Sequence, residues 1–288
     1  SIANIGIFYV DKGDFGRALD YLERSLAIAD ELGDKRGNGG SLNSIGILYG
    51  NKGDVGIALD YLERSLDIKE ELGDKAGMGA SLSNIGIIHS DKGDLGTALD
   101  YFNRSLAIRE EIGDKRGMGL CLMSIGIVHS EKGDYDTALD YFGRSLTIQE
   151  EVGYKSGMGY SLGNIGFVHA NKGDYEKAKT NLEKSLTIQK EIGLKEGVLM
   201  VETTTYLYLA YKHLDKEYDV NKIHTLIKEA ENIEFEVNSQ LFKLLDDKSY
   251  LKTAYNHVQE KADNLEDGAK FLSYPIPKAI VEEWEQVK

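Results

Sequence analysis

"GDKAGMGASLSNIGIIHSDKGD" runs from Gly73 to Asp94 and returns, with small edits, as "GDKRGMGLCLMSIGIVHSEKGD" from Gly113 to Asp134. Taken alone, the string offers a Gly-x-Gly, an Asp-Lys-Gly-Asp and a lone His89, each with a reading as phosphate loop or metal site. Its recurrence decides otherwise. The column Gly6, Gly46, Gly86, Gly126, Gly166 advances by 40 residues at every step, and Ala18, Ala58, Ala98, Ala138, Ala178 keep the same register. A fixed period of this size marks an array of hairpins, none of which buries its apolar faces without neighbours.

Each copy reads as two helices. Leu42, Ile45, Gly46 and Tyr49 recur at helical spacing and predict a first helix over about Lys35 to Asn51, with these residues on its buried face. "NKGD" then supplies Gly53 for a left-handed helix end and Asp54 as the next N-cap. Val55, Leu59, Leu62 and Leu66 form the apolar stripe of the second helix, with Ala58 and Ser65 as small neighbours.

At Leu42, Ile45-Gly46, Tyr49, Ala58 and Leu62 the chain resembles the tetratricopeptide signature, in which Leu-Gly and Tyr on the first helix are followed by Ala and Leu or an aromatic on the second. The match covers about residues 1 to 196. The 40-residue unit is similar to the extended repeats of kinesin light chain and the Leu-Gly-Asn-rich spindle adaptors. The resemblance implies an all-α, right-handed α-solenoid of antiparallel helix pairs with a C-terminal helical cap.

Composition shifts near residue 197: all but one of the 32 glycines precede that point or lie on it, and both prolines, Pro275 and Pro277, come late. The expected organisation is five units over 1–197, the first entered halfway along its first helix and so expected to continue upstream. A degenerate sixth pair over 198–235 and capping helices over 236–288 follow. Pro277 is expected at the start of a last helix, with "FLSYPIP" extended before it.

A formal charge of −14 over 288 residues opposes nucleic acid and anionic membranes as partners. One cysteine, Cys121, excludes an internal disulfide framework and fits a cytoplasmic location. No apolar run reaches the roughly 20 residues that cross a bilayer.

No catalytic constellation emerges, and no enzyme, metal or cofactor is expected. Gly77-x-Gly79 lacks the rest of a dinucleotide or P-loop motif and the strand that would precede it. His89, His129 and His169 stand where Tyr9 and Tyr49 stand, on helices about 8–10 Å apart, too far to share one zinc ion. Cys121 replaces packing serines, and Glu70-Glu71, Glu110-Glu111 and Glu150-Glu151 belong on a solvated outer face.

What remains is the first helix's other face, which the resemblance places along a concave groove. Asn4, Ser44, Asn84, Ser124 and Asn164 offer hydrogen bonds to a peptide main chain. Ile7, Ile47, Ile87, Ile127 and Phe167 form an apolar ladder beside them, and Asp11, Asn51, Asp91, Glu131 and Asn171 an edge that is partly acidic. A competing reading tucks the Ile residues between helices and leaves the Asn residues capping them. The spindle adaptors hold acidic peptides with Arg, and chaperone-binding relatives use a Lys/Arg clamp. Here Gly40, Ala80, Leu120 and Tyr160 fill the Arg column, so an apolar or basic protein or peptide is the expected partner. The alternative is a regulatory or self-association segment of a larger signalling protein with a kinase, cyclase or ATPase domain upstream, because the tail resembles the ends of such bacterial and archaeal repeat proteins.

Overall fold

The computed structural model describes residues 2–194, 198–230, 233–265 and 268–287, and of Asp11 the backbone alone. Ser1, where the first unit was read as entered midway, and the composition boundary near residue 197 lie outside them. Among the described residues there are sixteen helices and no strand. In chain order they are α1 (Ile2–Asp11), α2 (Phe15–Leu32), α3 (Lys35–Asn51), α4 (Val55–Glu71), α5 (Lys75–Asp91), α6 (Leu95–Glu111), α7 (Lys115–Glu131) and α8 (Tyr135–Glu151). There follow α9 (Lys155–Asn171), α10 (Tyr175–Glu191), α11 (Val198–His213), α12 (Val220–Glu229), α13 (Phe235–Leu245), α14 (Lys248–Asp263), α15 (Gly268–Leu272) and α16 (Pro275–Val287). Tertiary contacts divide the chain into two compact units, Ser1–Cys121 and Leu122–Lys288.

The odd-numbered helices up to α9 are here called A and the even-numbered helices that follow them B; in the first unit α1, α3 and α5 pair with α2, α4 and α6, and α2 and α4 pack on α3 and α5. The turns follow from local chemistry. Gly53 and Gly73 take φ of 81° and 63°, a region that costs a Cβ-bearing residue about 1–2 kcal/mol. Asp34 and Asp74 then accept the backbone N–H of Gly37 and Gly77 at 2.9 and 3.0 Å and so cap α3 and α5. Asp54 holds the N-cap position of α4 without a side-chain capping bond.

The A and B helices meet where the A helix has no side chain. A Cβ at Gly46 would lie 2.6 Å from Leu62 Cγ, and one at Gly86 would lie 2.8 Å from the Phe102 ring, both partners being fully buried. Two buried serines in this seam find partners locally: Ser65 and Ser105 donate to the carbonyls of Gly39 and Gly79 at 2.7 Å. His89 stacks on Tyr101 as Tyr49 stacks on Tyr61, so the histidine occupies a packing position in this column.

The second unit repeats the plan through α10: Gly166 meets Leu182, and Ser185 donates to the Gly159 carbonyl at 2.7 Å. Then α11 packs on α10 and α13, and α13 and α16 pack on α14. Leu251, Ala254, Val258 and Ile280 form the core of this last group, closed by Phe235 against Phe271. The expected extended "FLSYPIP" is not extended. Phe271 and Leu272 end α15, and Pro275, not Pro277, opens α16, since the first helical turn needs none of the amides that proline lacks. Pro275 lies against Gly133, where a Cβ would come within 2.7 Å of its ring.

Two glycine substitutions separate packing from propensity. Gly86→Ala should lower stability by about 1–3 kcal/mol, because the buried Phe102 ring cannot retreat. Gly143→Ala, in mid-α8 with nothing near its Cβ direction, should raise it by about 0.4–1 kcal/mol. Urea denaturation of both variants checks the opposite signs.

Candidate functional site

The A helices present the sequence-selected columns on one face. In the first unit Asn4, Ile7, Gly40, Asn51, Ile87 and Asp91 are exposed, while Ser44, Ile47 and Asn84 are half-buried. Ile87 keeps 45% of its surface open, so the ladder is wet there. Ser44 Oγ donates to its own helix at the Gly40 carbonyl, 3.1 Å away, and Asn84 Nδ2 donates to Asn43 Oδ1 at 3.1 Å. Neither bond caps a helix end, and the one bond that Asn84 Nδ2 donates uses only part of its carboxamide's capacity.

Asn43 is the centre of a network that the sequence reading did not select. Its Oδ1 also receives Ser81 Oγ at 3.2 Å and Lys69 Nζ at 3.4 Å, and Lys69 donates to Ser81 Oγ at 2.7 Å. Lys69 is buried, and desolvation pushes its amine down to about 8, opposed by the nearby charge of Asp74. The signal was present in the column Ala29, Lys69, Arg109, Gln149, Gln189: one B-helix position that is polar in four of five copies. Arg109 bonds Ser105 and pairs with Asp114 at 2.5 Å. Gln149 bridges Ser145 and Ser161. Ala29 reaches nothing comparable, and beside it opens a cleft of about 500 Å³ whose walls include Asn4, Ile7, Ile28, Leu32, Gly40 and Ser44.

In the second unit Ser124, Ile127, Glu131, Asn164 and Phe167 are half-buried. Phe167 packs on Tyr206 of α11, ring centres 4.6 Å apart, and Asn171 hydrogen-bonds the Tyr206 phenol. Beside this lie Glu202 and Glu236. Burial pushes Glu202 up to about 7 and Glu236 up to about 8, and the charge of Glu234 raises both further. Glu131 also raises Glu236, while Lys261 opposes the rise. Neither Glu202 nor Tyr206 carries a repeat signal, because α11 departs from the 40-residue register.

Among the described residues no three His, Cys, Asp or Glu side chains gather to hold a metal ion, and no helix is long and apolar enough to cross a membrane. Cys121 is buried, 3.2 Å from Ser105 Oγ, and Glu70, Glu71, Glu110 and Glu111 face solvent.

Models of the tetratricopeptide repeat match residues 1–71, 77–151 and 160–192. The chain belongs to the tetratricopeptide repeat family. Solved tetratricopeptide folds resemble it over nearly its whole length. Aspartyl phosphate phosphatase F from Bacillus subtilis aligns at a TM-score of 0.67 and 16% identity, covering 98% of this chain and 68% of that one. A Rap protein complexed with Competence and Sporulation Factor gives 0.67 and 16%, covering 100% and 76%. A signal transduction ATPase with numerous domains and a tetratricopeptide repeat sensor, from Pyrococcus horikoshii, gives 0.63 and 18%, covering 99% of this chain and 43% of its own. At these identities the likeness is one of fold. No curated protein matches the sequence.

Two pH dependences follow, with opposite signs. Lys69 holds fewer protons in the folded than in the unfolded chain between about 8 and its ordinary 10.5, so it makes stability rise with pH across that window. Lys69→Gln, the side chain used at positions 149 and 189, should flatten that rise and add about 1–3 kcal/mol near neutral pH. Glu202 and Glu236 hold extra protons when folded, so their contribution is present at mildly acid pH and lost as pH rises through 7 to 8. The double Gln variant should melt higher than the parent at about pH 9 and no higher at about pH 5. Thermal melts across pH check both.

Proposed function

We propose that this chain is a non-catalytic scaffold that binds a protein or peptide along the A-helix face of its first unit. The carrying observation is that the open apolar surface of Ile87 stands three residues, about one helical turn, from the carboxamide of Asn84 on α5, a pairing that Ile7 repeats with Asn4 on α1. An extended main chain needs both: polar partners for its N–H and C=O groups, and apolar contact for alternate side chains. Asn4, Ser44 and Asn84 serve the first need, and Ile7, Ile47 and Ile87 the second. In the second unit, taken by itself, Ser124, Ile127 and Glu131, then Asn164, Phe167 and Asn171, hold the same positions of their repeats, with Tyr206 beside Phe167 and Asn171.

The exposed edge residues Asn51 and Asp91, with Gly40 and Ala80 where relatives carry Arg, favour an apolar or basic segment over an acidic one. The Rap protein solved with Competence and Sporulation Factor gives a precedent for a ligand held by this fold. A second reading, a regulatory segment within a larger signalling protein, draws support from the ATPase whose tetratricopeptide part is named a sensor. A gene product without any signalling domain beside these residues would remove it.

Selection of a displayed peptide library on the chain, followed by titration of the enriched peptides, tests the main reading. Enriched sequences should be apolar or basic, and Ile87→Asp should weaken them by about tenfold or more, the equivalent of at least about 1.4 kcal/mol. Unchanged affinity in Ile87→Asp and Ile47→Asp would remove the assignment to this face.

A further inference from the structure

A buried ammonium is costly, and at Lys69 packing does not require one. Two other copies set glutamine at the same position, Gln149 and Gln189, and Gln149 joins Ser145 to Ser161 without any charge. Arg109 keeps the charge but turns one arm to Asp114. Lys69 is 8% exposed, and among the described residues it makes no ion pair; its acceptors are Ser81 Oγ and Asn43 Oδ1. Lysine also coincides with asparagine in this copy alone, since the A-helix column of Asn43 runs Ala3, Asn43, Ser83, Met123, Gly163.

An ammonium donates and never accepts, so the Asn43 atom turned to it is the carbonyl oxygen. Ser81 accepts from Lys69 and sends its own proton to that oxygen. With Oδ1 held in this way, Asn43 Nδ2 is turned from the network, and among the described residues it has no partner. Asn84 faces the same oxygen and therefore presents its nitrogen, at 3.1 Å, which leaves Asn84 Oδ1 open.

We infer that Lys69 is a positioning residue for the ligand's main chain: through Asn43 it fixes two carboxamides on neighbouring A helices, so that Asn43 Nδ2 offers a donor and Asn84 Oδ1 an acceptor to one stretch of backbone. This rests on the peptide-binding reading of the first unit and adds Asn43 and Lys69 to it. A neutral group at position 69 releases both carboxamides. Glutamine there, acting as Gln149 does, takes the serine proton at Oε1, and Ser81 no longer holds Asn43. The amine itself changes character at about 8, where desolvation opposes its charge and Asp74 supports it. From α3 and α5 it otherwise meets the neutral Asn43 and Ser81. Below that pH it only donates; above it a lone pair can accept from Asn43 Nδ2, and the carboxamide is free to turn.

The probe is the tightest peptide from the displayed library, acetylated and amidated at its ends and titrated against the whole chain. Lys69→Gln should weaken it about tenfold while raising the chain's melting temperature, a combination that a merely structural lysine does not give. Asn43→Asp keeps the oxygen that Lys69, Ser81 and Asn84 use but removes the donor, and should weaken the peptide about as much. In the parent, affinity should fall between about pH 7 and about pH 9, and more steeply than in Lys69→Gln. If Ile87→Asp weakens the peptide and Lys69→Gln does not, the positioning role falls and the peptide-binding reading stands. If neither variant weakens it, or the library yields no binder, both fall. Weaker binding by Lys69→Gln with a lower melting temperature, or with the parent's pH slope, also overturns the proposal.

Discussion

Each regular hairpin depends on one close approach: an A helix without a Cβ at the point where its B helix carries a large buried side chain. At Gly46, Gly86 and Gly166 the partner is Leu62, Phe102 or Leu182, and any side chain on the A helix would collide with it. Packing at this density is what lets two short helices bury each other. The neighbouring serines follow from the same constraint. Backbones that approach so closely leave carbonyls such as those of Gly39 and Gly79 with no water, and Ser65 and Ser105 supply the missing donors.

The repeat makes most of this legible in the sequence alone. Five copies in one register fix the helix bounds, the turns at Gly53 and Gly73 and the A-face columns, because each column is read several times. What escaped was whatever occurs once. The network around Lys69 needs the coincidence of Asn43, Ser81 and Lys69 on three helices, and only one of those positions stands out in its column. Tyr206 and Glu236 lie beyond the register, where burial is decided by tertiary placement and not by period. Local proline chemistry misled at "FLSYPIP": restriction before a proline suggests an extended strand, but a proline in a first turn suits a helix equally well.

The position occupied by Ala29, Lys69, Arg109, Gln149 and Gln189 shows how a repeat protein differentiates without changing its frame. The surrounding seam is nearly constant, so a single substitution alters local polarity and leaves the hairpin intact. Lysine gives a buried amine held by neutral oxygens, arginine an ion pair with Asp114, glutamine a neutral bridge, and alanine an open cleft. Variation at this depth reaches the A-helix face through Asn43 and Asn84, one hydrogen bond from the surface where a ligand would lie.

Pro275 against Gly133 gives the second unit a different kind of cooperativity. In a linear stack each element knows only its neighbours, and an end can melt while the interior stands. Here the last helix returns to the turn after α7, so the terminal group is anchored at both its sequence-adjacent and its distant side. A contact between elements so far apart in sequence is one that a strictly linear stack does not make, and it links the melting of α16 to that of the turn it touches.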